Sequence, residues 1–521
     1  MRNSVVAASP DRRRLVRRLS ATLAGAALVG ASLVAAFPAS AASNQELLWG
    51  LDSDVPNLQT PMNQGSASMV LNAALHRGLV QYGASGKIVP ALAQKFTSKG
   101  DQTFVFTMRP KIFFHTGAPV TTADVKATLE WAMDATHAPK LYPATKGIAS
   151  ITTTKTTVTI KLVKPDASFL AFLADVSGAI LPANRLGKTD PTYVGAGPFQ
   201  FVSYEKGREF VVKKFAKFYD AKKVKLTGIK FEIIPDQAAR DNAMFTGAVD
   251  IVSFAGWNNY NRYRQRSDLK LDETDGPFMY LVFNATTGPF ANPKVRQAVA
   301  WAVNRDSVVN AALNGQGKGM YGMPIPKASA FFNLKQANYY YQSVSKAKAL
   351  LAEAGYPNGF KATMLSSSQY SFHQNTAISV QADLKAIGID LTLNLPDWST
   401  RVALGAKGDY DIAVYGTVGV VNDPAFLEQI LTPAGAQNAS FGYNNAALNA
   451  LLDQAKAEPN IAARKSLYAQ IGDIVLNDAP IVTLASRSQA YAYSTNVKGF
   501  NNIPGFLTFE SGYNLATTYK K

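Results

Sequence analysis

Two spacings of apolar residues alternate along this chain. Strict alternation of apolar and polar positions marks Thr103-Phe-Val-Phe-Thr-Met-Arg109 and Gly228-Ile-Lys-Phe-Glu-Ile-Ile234 as half-buried strands. Largely apolar runs at Tyr280-Leu-Val-Phe-Asn284, Asp409-Tyr-Asp-Ile-Ala-Val-Tyr415 and Pro480-Ile-Val-Thr-Leu484 read as buried strands. Between them the spacing turns helical: 68–79, a helix opening at Ala123 behind Thr121 or Thr122, 238–246, 381–387, 445–457 and 461–476. After Tyr280–Asn284 the break at Gly288-Pro289 leads to Asn292, which can cap a helix with Pro293 in its first turn. Val295, Val299, Ala302 and Val303 then share one apolar face. Gly78, closing the 68–79 segment, is expected in the left-handed cap conformation. Alternating strand and helix blocks make the fold class α/β.

Length divides this pattern. At 521 residues the chain exceeds what one core supports, so at least two lobes are expected. Its 47% hydrophobic and 17% charged content is ordinary for a globular protein. The first 41 residues stand apart. Five arginines between Arg12 and Arg18 precede the apolar run from Leu19 to Phe37, and Ala39-Ser40-Ala41 supplies a small-residue cleavage site. This is a signal peptide, and the mature chain is expected to start near Ala42. Arg12-Arg13 with the following Arg-Leu-Val resembles a twin-arginine export signal weakly, and a general export signal fits as well. The chain has no cysteine, so an exported form folds without disulfides and carries no lipid-anchored cysteine. Without residues 1–41 the formal charge falls from +17 to +12. The densest basic run, nine Lys and Arg between Lys206 and Lys230, alternates like a solvated hairpin and joins no nucleic-acid motif. A basic surface of this kind favours an anionic wall or membrane.

Gly317-Lys-Gly-Met-Tyr-Gly322 has dinucleotide spacing but follows a helix and precedes Pro324 and Pro326, the wrong context for that site. There is no Gly-x-Ser-x-Gly elbow and no His-Glu-x-x-His pair. His76, His115, His137 and His373 lack metal-ligand spacing, and His115 reads as a structural hydrogen-bonder. No enzyme, cofactor or metal site is expected.

Several landmarks occur in a characteristic order. Gly86-Lys-Ile-Val-Pro-Ala-Leu-Ala-Gln-Lys-Phe96 leads to the Thr103–Arg109 strand, then Phe113-Phe-His-Thr-Gly-Ala-Pro-Val-Thr-Thr-Ala-Asp-Val125. Val194-Gly-Ala-Gly-Pro-Phe199 follows, then Asn292-Pro-Lys-Val-Arg-Gln-Ala-Val-Ala-Trp-Ala-Val-Asn-Arg-Asp306, and Ala347-Lys-Ala-Leu-Leu-Ala-Glu-Ala-Gly355. This order resembles the family 5 extracellular solute-binding proteins, the peptide, nickel and oligosaccharide receptors of ABC importers, over roughly residues 45 to 512. Phe96 stands where the family usually has Trp, and Thr116 where it usually has Asp.

The resemblance implies a two-lobed periplasmic-binding-protein-like fold, the large type II variant with an extra subdomain. Its expected divisions are 42–72 and 191–283 for lobe I, 73–190 for the inserted subdomain, 284–487 for lobe II, and 488–521 for the return to lobe I. It implies hinge closure on a small solute, peptide by base rate, with a sugar or modified peptide as alternatives. It further implies a monomer, periplasmic or cell-wall-associated, serving an ABC permease and ATPase. A secreted hydrolase and a sensor-coupled binding protein are the rival classes. Candidate ligand contacts are Trp257, Phe283, Asn284, Trp398, Tyr415, Thr417, Val420 and Asp423, since loops beyond strand ends line the ligand sites of α/β sheets. The crossing between lobes is expected at Tyr280–Asn284, with a return near 486–493.

In the family's peptide receptors a Trp lies six residues, and an Asp three residues, before the second-lobe Asp-Pro. The Asp pairs with the peptide's ammonium. Counting back from Asp423-Pro424 gives Thr417 and Val420, neither of which supplies an aromatic wall or a counter-charge. A buried ammonium without a partner costs several kcal/mol. The expectation is a solute without a free peptide amino terminus at that site.

Overall fold

A computed structural model of the chain describes residues 45–54, 66–137, 141–188, 193–327, 329–417, 421–433 and 440–521. The proposed signal peptide, much of the acidic loop after the first strand, and Val420 lie outside the described residues. Residues 43–521 form one compact unit.

One mixed sheet runs through both lobes. In lobe I the first strand, Glu46–Leu51, lies parallel to Gly228–Ile233 on one side and to Ile251–Val252 on the other. Glu209–Lys214 and Phe199–Glu205 extend that edge as antiparallel strands. In lobe II, Phe360–Leu365 lies parallel to both Ile389–Asn394 and Ile412–Gly416. Ile251–Val252 and Ile412–Gly416 are apolar and buried on both faces, whereas Gly228–Ile233 and Ile389–Asn394 alternate buried and more exposed positions. A separate four-stranded sheet carries the alternating strand Thr103–Met108 in the inserted segment.

Two long antiparallel strands, Leu269–Phe283 and Ile481–Ser494, join the halves. Their pairing slips between Asp275 and Phe278, at Gly276-Pro277, where proline cannot donate to the ladder. A Cβ on Gly276 would lie 2.3 Å from the backbone of Gly505, so only glycine fits that crossing. A second slip falls between Met279 and Tyr280. Tyr280 to Phe283 pair with Ile412–Tyr415, and Tyr280 to Val282 also with Ile481–Thr483, so this stretch is held in lobe II's sheet. The irregularity therefore sits a few residues upstream of the expected crossing.

The helix starts follow their caps. Thr121 and Asp124 form a reciprocal capping box at Thr122–Ala132. The Asn292 side chain accepts from the Lys294 backbone N–H at 2.9 Å, with Pro293 in the first turn. Gly78 departs from expectation. The helix runs Ser66–Leu75, and Gly78 instead bridges Ala179 in extended backbone. A Cβ there would approach the Gly178 carbonyl oxygen at 2.8 Å, so close backbone approach explains this glycine. The return strand Ile481–Ser494 is longer than the run Pro480–Leu484 suggested, and the predominantly buried helical turns Gly505–Ala516 follow it.

Candidate ligand cleft

The lobes touch at several points. Asn422 of lobe II donates to the Pro504 carbonyl and accepts from the Phe506 N–H, both at 2.9 Å. Lys456, mostly buried, lies 3.5 Å from Asp166 in the inserted segment and 3.1 Å from Glu428. Its backbone carbonyl accepts from the Ala167 N–H at 2.9 Å.

An aromatic and basic cluster fills the space between the lobes. From lobe I, Phe254 holds φ at +53°, a strained value for a bulky residue, immediately after strand Ile251–Val252. The chain then reaches Trp257, whose indole N–H donates to the Ser488 carbonyl at 2.6 Å. Tyr260 donates to the same oxygen at 3.0 Å. Trp257 meets Phe372 of lobe II edge to face, ring centres 5.6 Å apart. Phe372 and His373 lie in the first turn of the helix Ser371–Lys385.

Trp398 packs against Tyr370 at 5.0 Å and His373 at 5.2 Å. It opens the helix Trp398–Lys407, capped by Asp397, although the sequence suggested a loop there. Tyr415 lies under Arg401, whose guanidinium is 3.7 Å from the ring centre and 4.9 Å from that of Trp398. Thr417 is buried, and its carbonyl accepts from Arg487 Nη2 at 3.0 Å. Four of the expected residues thus gather: Trp257, Trp398, Tyr415 and Thr417.

The others are elsewhere or otherwise engaged. Phe283 is fully buried against Phe290, ring centres 5.4 Å apart. Asn284 shapes a turn, accepting from the Thr286 hydroxyl at 2.6 Å and donating to the Gly408 carbonyl at 3.2 Å. Asp423 accepts two bonds from Arg464, at 2.7 and 2.5 Å, and one from the Ala425 N–H at 2.8 Å. Val420 lies outside the described residues.

Sequence reasoning passed over Asp52, Tyr370, Phe372, His373, Arg401 and Arg487. Asp52, at the end of the first strand, accepts from the Ser66 hydroxyl, and burial raises its pKa. Its charge also acts on Tyr370 across the lobes. His373 is held well below the usual imidazole range, first by burial and then by the charges of Arg401 and Arg487. Burial likewise lowers Arg487 to about 10. Among the described residues no cluster of His, Asp and Glu is fit for a metal ion, and no helix is long and apolar enough to cross a membrane.

Two lobes joined by a paired ribbon, with aromatic walls between them, define a solute-binding receptor. The sequence relationships carry the assignment further. The family model "Bacterial extracellular solute-binding proteins, family 5 Middle" matches residues 87–438, and the chain belongs to that family. The glutathione-binding protein GsiB of Salmonella typhi is 28% identical over 497 residues, covering 92% of this chain and 96% of that protein. GsiB of Escherichia coli K12 is 28% identical over 496 residues, with the same coverage of both chains. Among solved structures, the binding protein AgaA of A. tumefaciens R10, in complex with agropinic acid, superposes with a TM-score of 0.84 at 38% identity. It covers 91% of this chain and 99% of its own. DppA of Helicobacter pylori, in complex with the peptide STSA, shares the fold at 24% identity and a TM-score of 0.80, covering 91% of this chain and 98% of its own. The protein is therefore a periplasmic or extracellular solute-binding component of ABC transport.

Proposed function

We propose that the receptor closes on a small organic solute that presents no free peptide amino terminus to the Asp423 loop, and passes it to an ABC permease and ATPase. The pairing of Asp423 with Arg464 carries this reading. A carboxylate that already accepts two charge-assisted bonds and caps a turn is not free to neutralise an incoming ammonium. Position 417 is a buried threonine, which offers no wall for a peptide side chain. A blocked or modified peptide, a sugar or another weakly charged solute fits better. Agropinic acid, bound by the similar AgaA, is the first compound to try.

Trp257, Trp398 and Tyr415 form the wall in this reading, with Thr417 holding Arg487 through its carbonyl, while Phe283 and Asn284 shape lobe II behind it. Gly276-Pro277, facing residues 486–488, supplies the bend. Residues 1–41 direct export, and the mature monomer carries no lipid. Calorimetry with di- to pentapeptides, their N-acetyl forms and agropinic acid tests the proposal. Binding that does not depend on a free amino terminus is expected. Micromolar peptide affinity that vanishes on N-acetylation would overturn it.

A further inference from the structure

Buried arginines in this protein are usually well supplied with acceptors. Arg240 donates to the carbonyls of Ile234, Pro235, Ser253 and Phe254 and to the Gln237 side chain. Arg296 donates to three carbonyls. Arg464 has Asp423, the Ala455 carbonyl and Tyr468. Arg77 bonds two carbonyls and lies over the rings of Phe218 and Tyr513, although its Nε and Nη2 lack acceptors.

Arg487 differs in its place, beside the contact of Trp257 with Phe372. It is 7% exposed, bonds the Thr417 carbonyl and leaves Nε without an acceptor. Its guanidinium lies 5.3 Å from the Phe372 ring centre, at the level where Trp257 meets that ring. His373, next to Phe372, leaves Nδ1 without a partner. Arg401, 2% exposed, bonds the Val414 carbonyl and also leaves Nε unpaired.

No acid forms an ion pair with Arg401 or Arg487 among the described residues. The sequence stretches 55–65, 418–420 and 434–439 contain no Asp or Glu. Among the described residues these two buried guanidiniums thus have no ion-pair partner, an expensive arrangement unless an anion joins them.

We propose that Arg487, with His373 beside it and Arg401 behind, is an anion-binding corner of the cleft that takes a carboxylate of the solute. This deepens the reading above, making the solute an organic acid. A carboxylate suits the corner because it is planar and can accept from the guanidinium edge that carries the unpaired Nε–H. Phe372 supplies a flat floor beneath it. Arg401 contributes positive field from among its aromatic neighbours, and the depressed His373 stays neutral and can offer an N–H.

The test uses the full mature chain and calorimetry. Agropinic acid, N-acetyl dipeptides and sugar acids are each paired with their methyl ester or amide, and organic phosphates of similar size form a third arm. Wild-type protein is expected to bind at least one acid and to reject its neutral partner. Arg487→Gln should weaken that acid by at least about 30-fold, with Arg487→Lys retaining part of the affinity. The melting temperature without solute should stay close to wild type. The acid–ester comparison on wild-type protein decides the matter even if a variant misfolds.

Equal affinity for acid and ester, binding of neutral compounds only, or failure of every acid would overturn the carboxylate corner. The first two outcomes leave the wider receptor reading intact. Preference for the phosphates, lost in Arg487→Gln, would overturn the carboxylate assignment in favour of a phosphate. Binding that requires a free peptide amino terminus would instead overturn the reading on which this inference rests.

Discussion

Arg305 and Arg487 are both buried, and burial lowers both to about 10. Their surroundings could hardly differ more. Arg305, at the start of the helix Arg305–Leu313 in lobe II, donates to the carbonyls of Met320, Thr483, Ala300, Val303 and Tyr340. It ties helix ends, the return strand and a loop into one body. Among the described residues Arg487 bonds only the Thr417 carbonyl and leaves Nε unpaired. The first cation, although its Nη2 also lacks an acceptor, is tied to the fold through five carbonyls. The second keeps donors in reserve where two lobes meet, as expected of a group whose partner arrives from outside.

Replacing each arginine by methionine separates the roles most sharply. Arg305→Met strands five carbonyls in the core and should cost about 3–5 kcal/mol of unfolding free energy. Arg487→Met removes a charge with one bond and should shift solute-free stability by less than about 1 kcal/mol. Urea unfolding of both variants measures this. A loss at Arg487 as large as that at Arg305 would make it a structural residue and erase the contrast.

Acid sharpens the same contrast through imidazoles. His115 accepts from the Gly195 N–H and pairs with the Gly197 carbonyl, each at 3.2 Å, and burial lowers it to about 4. His76 falls to about 3 through burial, with the charges of His115 and Arg77 adding to it. Both folded values lie below the ordinary 6.5, so the unfolded chain takes up protons first as the pH drops. Their stabilising effect is complete above about 6.5 and is lost toward 4. Lowering the pH from 6 to 5 should cost about 2 kcal/mol from the pair. A urea midpoint that does not move over that interval would contradict it.

The aromatic walls are expected to show the smallest effects. Trp257→Ala and Trp398→Ala should each weaken solute binding by about 1–2 kcal/mol while leaving the unfolding midpoint near wild type. Titration followed by calorimetry and by urea distinguishes a wall from a core residue. Variants that unfold yet keep their affinity would place both tryptophans in the core.

The sequence displayed local grammar well and long-range placement poorly. Asn292-Pro293 and Thr121-x-x-Asp124 announce helix starts through side-chain chemistry that needs no tertiary context. Gly78 misleads because close approach of another backbone and a left-handed turn both require glycine, and a sequence does not tell them apart. The return strand's second half, Ser-Arg-Ser-Gln, looks like solvent-facing chain, yet Arg487, Ser488 and Gln489 are buried between other strands and the lobe contact. Nothing in the local pattern therefore marks Arg487 as a residue of the lobe contact. His373 was missed because helical spacing was recognised only from Gln381 onward, whereas the helix begins at Ser371. Trp257, Trp398 and Thr417 were singled out because they follow strands, a position the fold class favours for ligand contacts, and Tyr415 because it stands near the end of the strand Ile412–Gly416.

Closure of two lobes on a solute is the central claim, and small-angle scattering tests it most directly. Protein stripped of bound solute by unfolding and refolding is compared with the same protein saturated with the compound that calorimetry identifies. The saturated form should have a smaller radius of gyration and a shape matching the contacts of Asn422 with Pro504 and Phe506 and of Lys456 with Asp166. Identical profiles at saturation would contradict hinge closure.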